Sequence, residues 1–347
     1  MKRILVIIDG MDDERIEALG GLTPREAAFM PGLARMRRHG SVGQVSTIPS
    51  GNEPGTDVAL LNILGYNVPE KFSSRSWLEA LGQGVETGSG DLWLRCNLIS
   101  HSGGIVTSHC GRGVSDEEAR ETVELLNAGL GAEDLTFYHG TGFRNLLVVK
   151  GCDADVSAVA PHRMPECRLE DLKVRSSDSV VADRLNGCVK AAIKLLEGRR
   201  ANGIALWSPG RAVSFDRKTP GAVVAGVGLV KGIGRAVGMD VVEVAGATGD
   251  ASTDYRAKCD AAIAALARHD FVLLHVEAAD EASHSRDYMG KVRILEDIDR
   301  DIISVLLESG IDAELTVQAD HGTSSLTGCH LCAPVESVTC RIIQKSV

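Results

Sequence analysis

The stretch Phe271-Val272-Leu273-Leu274-His275-Val276-Glu277-Ala278-Ala279-Asp280-Glu281-Ala282-Ser283-His284 decides how this chain is read. Its first six residues form an apolar run of strand length, with little alternation, as in a strand buried on both faces of a parallel sheet. The run gives way to Glu277-Ala278-Ala279-Asp280, and His284 follows Asp280 by four residues. On a helical turn, positions i and i+4 share a face. A carboxylate and an imidazole so placed suit Zn²⁺, Mn²⁺ or a similar divalent ion. Two other apolar runs close the same way. Ile4–Asp9 ends in Ile7-Ile8-Asp9-Gly10, and Leu315–Gln318 runs into Ala319-Asp320-His321, with His330 nine residues on. An isolated Asp at a strand end is ordinarily a turn or cap residue. In an open α/β sheet, however, ligands bind beyond the carboxyl ends of the strands, so the three ends are expected to converge on one site.

Working outward, Val241–Val244 is a fourth buried run and Ile204–Trp207 a shorter fifth. Helical patterns lie between them. Thr23-Pro24-Arg25-Glu26 has the form of a capped start, with a helix expected to about His39 and a stop at Gly40. Asp254 to His269 is Ala-rich and amphipathic, and Val292, Leu295, Ile298, Ile302 and Val305 recur at helical spacing. Strand–helix alternation argues for an α/β layered fold with a mainly parallel sheet. The middle, from about Thr87 to Ser177, has short strand-like runs (Leu92–Leu98, Asn145–Val149), loops and one helix, about Ser115 to Asn127. It is expected to be a smaller inserted α+β cap domain of residues 87–177, the main domain being 1–86 and 178–347.

The 347 residues are 44% apolar, which supplies a sizeable core. Lys plus Arg is 37 against 47 for Asp plus Glu, a formal charge of −10. That balance repels phosphate backbones and anionic lipid, so neither nucleic acid nor a membrane surface is an expected partner. The run Ile4–Ile8 is too short for a signal-peptide core, and no stretch approaches the roughly 18 apolar residues of a membrane span. Nine scattered cysteines in a chain this long suggest free thiols, hence a cytoplasmic setting.

Pro49-Ser50-Gly51-Asn52-Glu53-Pro54-Gly55-Thr56-Asp57 reads as a loop, followed by a short helix over Val58–Gly65. Two readings of Thr56 stay open from local sequence. It is an ordinary N-cap, or it is a hydroxyl set where the positive helix end favours an anion.

Taken in order, several segments resemble the archaeal-type, cofactor-independent phosphoglycerate mutases of the alkaline phosphatase superfamily. They are Asp9-Gly10, Pro54-Gly55-Thr56-Asp57, Arg75 with Leu78-Glu79-Ala80, Arg95-Cys96-Asn97, Lys231-Gly232-Ile233-Gly234, Gly246-Ala247-Thr248-Gly249, His275 through His284, Asp320-His321-Gly322-Thr323, and His330 with Pro334-Val335. The resemblance spans nearly the whole chain and is weakest in the middle. It implies an alkaline-phosphatase-like three-layer fold and two divalent ions, of Mn, Zn, Mg or Co. Asp9, Thr56, Asp320 and His321 match the ligands of one ion, and Asp280, His284 and His330 those of the other. Thr56 stands at the nucleophile position, where the family usually has serine. The implied activity is interconversion of 3- and 2-phosphoglycerate, a small phosphorylated metabolite being the partner. Arg75, Arg95, Arg112, Arg144, His162 and Lys231 are implied or candidate substrate-binding groups, because Arg in particular recognises anions bidentately.

Alternatives are a phosphotransferase or phosphohydrolase of the same superfamily on another small substrate, homoserine phosphorylation included, and a catalytically weak metal-binding homologue. Cys329-His330-Leu331-Cys332 lacks the second ligand pair that a structural zinc site needs. The glycines at 226, 228, 232 and 234 do not complete G-x-G-x-x-G, and no G-x-x-x-x-G-K-[ST] loop exists.

Overall fold

Ile4, Val6, Ile7 and Ile8 are at most 1% exposed, because their strand, Lys2–Ile8, is the middle member of a seven-stranded sheet. Phe271–Val276 pairs with it in parallel on one side and Ala313–Gln318 on the other. The three unalternating runs are thus covered on both faces, as such runs predict. The computed structural model describes residues 1–70, 72–161, 164, 167–216 and 218–342. They form two units, Met1–Phe72 with Phe215–Val347, and Ser73–Ser214.

In the first unit the spatial order of strands is Asp240–Val242, Ala222–Val224, Phe271–Val276, Lys2–Ile8, Ala313–Gln318, Val335–Ile342 and Ser41–Val45. The first five are parallel and the last two join antiparallel. The fold is therefore α/β with a mainly parallel sheet, as expected. One face packs Ile4, Val6, Ile8, Val272 and Leu274 against Leu33, Met36, Cys259, Ala262, Leu295 and Ile298 from three helices. On the other face Val223 meets Gly234 of the helix Gly228–Val237. A Cβ at Gly234 would sit 2.5 Å from Val223 Cγ1, so only glycine permits this approach.

Local expectations met two kinds of change. The single helix expected from Thr23 to about His39 is two, Pro24–Ala27 and Pro31–His39. Thr23 and Glu26 do form a capping box, but Pro31 has no N–H to donate and disfavours helical backbone at Met30. The Asp254 start holds: its side chain accepts from Ala257 N, and the helix is Tyr255–Ala265. Three strands of this seven-stranded sheet escaped the reading. Val335–Ile342 and Ser41–Val45 are edge additions, and Ala222–Val224 is only three residues long and next to glycines.

The second unit carries a five-stranded antiparallel sheet of Ile105–Ser108, Leu92–Ser102, Arg144–Val149, Leu135–Thr141 and Gly203–Gly210. It is wider than the expected 87–177. Leu185 and Ala192 of the helix Ser179–Leu195 share a core with Leu94, Leu98, Ile204 and Leu206. Ser76, in the helix Arg75–Gly82, donates to Trp93 O at 3.0 Å. Ile204–Trp207, expected in the parallel sheet, pairs antiparallel with Ile204↔Leu98 through Trp207↔Arg95. An amphipathic helix or short strand does not encode which sheet it joins; complementary apolar surface decides. Among the described residues no helix is long and apolar enough to cross a membrane.

Candidate metal centre

Register brings the strand ends together. Ile7 lies opposite His275 on one side and Gln318 on the other, and Asp9 N donates to Val276 O at 2.9 Å. Asp9, Glu277 and Asp320 therefore leave the same edge of the sheet. The chain turns after Asp9 at Gly10, whose φ is +65°, and a Cβ there would lie 2.9 Å from Asp280 Cα. Glycine is required on both counts.

The helix Ala278–His284 presents Asp280 and His284 on one face, with His284 Nε2 3.1 Å from Asp280 Oδ2. His321 Nε2 lies 3.5 Å from Asp9 Oδ1 and 3.6 Å from Asp320 Oδ2. His330 Nε2 is 3.7 Å from Asp280 Oδ1 and 3.1 Å from His284 Nε2. Outer partners orient the rings. His284 Nδ1 donates to Gly328 O at 2.8 Å and His330 Nδ1 to Pro54 O at 2.9 Å, which aims both Nε2 atoms inward.

Gly55 is the N-cap of the helix Thr56–Ile63, so Thr56 occupies its first helical position and is not the cap. Its buried hydroxyl donates to Asp9 Oδ2 at 3.2 Å. All seven residues expected as ligands (Asp9, Thr56, Asp280, His284, Asp320, His321, His330) belong to the first unit and lie within this network.

The electrostatics call for a cation. Burial raises the Asp9 carboxyl well above its ordinary value, and the charges of Asp320, Asp280 and Glu277 raise it further. Burial opposes ionisation of Asp280 too, but a hydrogen bond and charge from His284, with His321 and His330, hold it below the usual carboxylate range. His284 is pushed up to about 9, chiefly by its hydrogen bond to Asp280. Burial lowers His330, and His321 lowers it further. Asp9 Oδ1, Asp320 Oδ2 and His321 Nε2 are buried without a hydrogen-bond partner among the described residues. Buried polar atoms of this kind normally have a partner. An ion bound at 2.0–2.2 Å in tetrahedral geometry sets its ligand atoms roughly 3.3–3.6 Å apart, close to the separations above. Among the described residues three groups are close enough to hold a metal: Asp9 with Asp320 and His321, Asp280 with His321 and His330, and Asp9 with His275 and Glu277. The residues fit divalent ions.

Sequence reading assigned no role to Thr323, His275 or Glu277. Thr323 Oγ1 donates to Asp280 Oδ1 at 2.6 Å and lies 3.3 Å from His321 Nδ1. His275 Nε2 is 3.4 Å from Asp9 Oδ2, and burial pushes the imidazole down to about 4. Behind them the fully buried Lys291 ammonium reaches Asp13 Oδ2 at 2.8 Å and Thr323 O at 3.0 Å, and Asp13 accepts from Ser325. A strand-end histidine in an apolar run was the one visible signal.

The candidate anion-binding groups are divided between the two units. In the second unit Glu79 joins two of them: Arg95 Nη2 at 2.7 Å and Arg75 Nε at 3.3 Å. Arg95 also stacks 4.6 Å over the Trp207 ring. Burial lowers its guanidinium to about 10, against the charge of Glu79, so it stays charged at neutral pH. Arg144 lies 4.7 Å over the Phe143 ring. Arg112 is exposed on a turn with φ 53° and donates to Thr107 Oγ1 at 3.2 Å. Lys231, in the first unit, is ion-paired with Glu243 at 2.5 Å. His162 lies outside the described residues.

The chain is similar to several known proteins. The 2,3-bisphosphoglycerate-independent phosphoglycerate mutase profile matches residues 38–202. A probable 2,3-bisphosphoglycerate-independent phosphoglycerate mutase of Geobacter sulfurreducens is 37% identical over 97% of this chain and 90% of its own length. The 2,3-bisphosphoglycerate-independent phosphoglycerate mutase of Methanosarcina barkeri is 36% identical over 96% of this chain and 89% of its own. Two solved structures are similar. A protein from Pyrococcus horikoshii has a TM-score of 0.81 at 27% identity, over 98% of this chain and 87% of that one. The cofactor-independent phosphoglycerate mutase from Thermoplasma acidophilum has a TM-score of 0.61 at 26% identity, over 100% and 91%.

Proposed function

The chain belongs to the 2,3-bisphosphoglycerate-independent phosphoglycerate mutase family, and on that premise we propose that it interconverts 3- and 2-phosphoglycerate through phospho-Thr56. The observation that carries this reading is the Thr56 hydroxyl, at a helix N-terminus and 3.2 Å from Asp9 within the carboxylate–imidazole cluster.

Thr56 Oγ1 attacks the phosphorus of the substrate ester. The Oγ1–P bond forms, the P–O bond to the glycerate breaks, and the hydroxyl proton, directed at Asp9 Oδ2 before attack, leaves Thr56 and ends on the departing glycerate oxygen. The reverse attack by the glycerate's other hydroxyl removes the phosphoryl group from Thr56, so bonds and protons balance over the cycle. Free N–H groups at the start of the Thr56–Ile63 helix stabilise the oxygen that carries charge. Asp9, Thr56, Asp320 and His321 would hold one divalent ion and Asp280, His284 and His330 a second, Mn²⁺, Zn²⁺, Mg²⁺ or Co²⁺. Such ions, when bound, lower the hydroxyl pKa and neutralise the phosphoryl oxygens. Arg75, Arg95 and Arg144 bind the substrate's phosphate and carboxylate; Arg112, His162 and Lys231 are further candidates. Nine free thiols support a cytoplasmic setting.

The test is conversion of 3- to 2-phosphoglycerate by Mn²⁺-loaded protein without added bisphosphoglycerate. A phosphorylated Thr56 peptide is expected in mass spectrometry of quenched reactions. Thr56→Ala should lose at least about a hundredfold in turnover, whereas Thr56→Ser should keep the activity. Release of inorganic phosphate in place of 2-phosphoglycerate would mark a hydrolase and overturn the mutase reading.

A further inference from the structure

Cys329-His330-Leu331-Cys332 sets a thiol on either side of a candidate ligand. Both thiols are free and exposed, whereas the remaining cysteines are buried or half-buried. Burial also raises the Cys96, Cys188, Cys259 and Cys340 thiols. An oxidant therefore meets Cys329 and Cys332 first. His330 and Leu331 form a two-residue strand, paired antiparallel as Thr323↔His330 and Gly322↔Leu331. With both intervening residues extended, the Cα atoms of Cys329 and Cys332 stand roughly 10 Å apart. A disulfide needs about 4.4–6.8 Å. Closing it bends the backbone at His330 and Leu331 and breaks the pairing with Thr323. Only a short ladder opposes this, yet the same backbone orients two ligands. His330 Nδ1 donates to Pro54 O at 2.9 Å, and the carbonyl of Gly328, next to Cys329, accepts from His284 Nδ1 at 2.8 Å.

We propose that Cys329 and Cys332 are a redox modification site, whose disulfide draws His330 out of the metal centre and weakens the hold on the ion assigned to Asp280, His284 and His330. The oxidant is a low-molecular-weight disulfide. One cysteine thiolate attacks a sulfur of that molecule and releases its first thiol. The other cysteine's thiolate attacks the mixed disulfide and releases the second. Two protein thiols lose two electrons and two protons, and the small disulfide gains both as two thiols. In a reducing compartment such a bond is transient and signals redox state. Linkage makes the effect reciprocal, so a bound ion protects the thiols by the factor by which oxidation weakens the ion. The proposal rests on His330 as a ligand and is independent of the substrate.

The experiment reads metal affinity and disulfide content, not turnover. Chelator-stripped full chain is oxidised with glutathione disulfide, desalted, and titrated with Mn²⁺ against a chromophoric chelator. Mass spectrometry is expected to find the peptide with Cys329 and Cys332 lighter by two hydrogen atoms. The oxidised chain should bind one ion about 10–100-fold more weakly than the reduced chain, and dithiothreitol should restore the affinity. The double variant Cys329→Ser, Cys332→Ser should bind like the reduced native chain before and after oxidant. Mn²⁺ at a hundredfold excess over Kd, added first, should shift the oxidation equilibrium toward the thiols by at least about tenfold. Glutathione adducts without the internal bond, or equal affinity of the oxidised and reduced chains, overturn the proposal and leave the metal centre standing. A reduced chain that binds no Mn²⁺ overturns the metal-centre reading and the coupling with it. Reversal by dithiothreitol uses the native chain, so a folding defect in the variant does not affect it.

Discussion

Thr323 carries no charge and follows the more conspicuous Asp320-His321 pair, yet its hydroxyl touches both candidate ligand groups, at 2.6 Å from Asp280 Oδ1 and 3.3 Å from His321 Nδ1. Outer-sphere partners of this kind fix ligand orientation. Thr323→Val is expected to weaken divalent-ion binding by about 10–100-fold, with Thr323→Ser near native, in competition with a chromophoric chelator. Equal affinity for all three would remove the assigned role. The His284–Asp280 pair predicts a pH dependence. Their hydrogen bond raises His284 to about 9, so an incoming cation displaces a proton at any lower pH. Affinity should rise with pH, by about tenfold per unit for one proton, and level off above about 9. Calorimetry in buffers of different ionisation enthalpy should show proton release near neutral pH, and its absence would contradict the assignment. Six of the seven candidate ligands stood out in the sequence as carboxylates and imidazoles at or shortly after strand ends, whereas Thr56 was assigned through the family resemblance. Thr323 was not, because a hydroxyl is a common surface group until its partners are known.

At the scale of elements, the apolar repeat from Val292 to Val305 reads as one helix. The structure divides it into Tyr288–Ile298, a π-helical stretch Asp299–Ile303 and Ser304–Glu308. The wider turn lets the Asp299 carboxylate accept from Gly32 N at 2.8 Å and Leu33 N at 2.7 Å. Met30, the N-cap of Pro31–His39, supplies no side-chain hydrogen bond, so a residue 267 positions away caps that helix. Asp299→Ala should lower the stability of the unit by about 1–3 kcal/mol in urea unfolding, with Asp299→Asn between it and native. An unchanged midpoint would show that water replaces the cap without loss. A scan for caps examines the residue before a helix, which is why the split at Pro31 was foreseeable and its remedy was not.

For the whole molecule, a net charge of −10 includes four carboxylates, Asp9, Glu277, Asp280 and Asp320, gathered at one edge of a sheet. Gathering them opposes folding in the absence of a cation, so a divalent ion bound there would stabilise the fold as well as serve the chemistry. Divalent ion at a hundredfold excess over Kd adds about 2.7 kcal/mol per site. Calorimetric melting in Mn²⁺ is expected well above melting in chelator, with the gain in the transition of the unit formed by residues 1–72 and 215–347, which contains every candidate metal ligand. Identical melting in both would count against a metal centre there. The sequence by itself determined the parallel core strands, the α/β class, and the Asp and His residues that cap those strands. Apolar runs and their endings are local patterns, written within a few residues. Tertiary structure alone decided that Ile204–Trp207 joins the antiparallel sheet, that the second unit spans Ser73–Ser214, and that His275, Glu277 and Thr323 border the centre. Those outcomes depend on strand register and on which apolar surfaces meet, and such pairings join residues too far apart for any local pattern to carry.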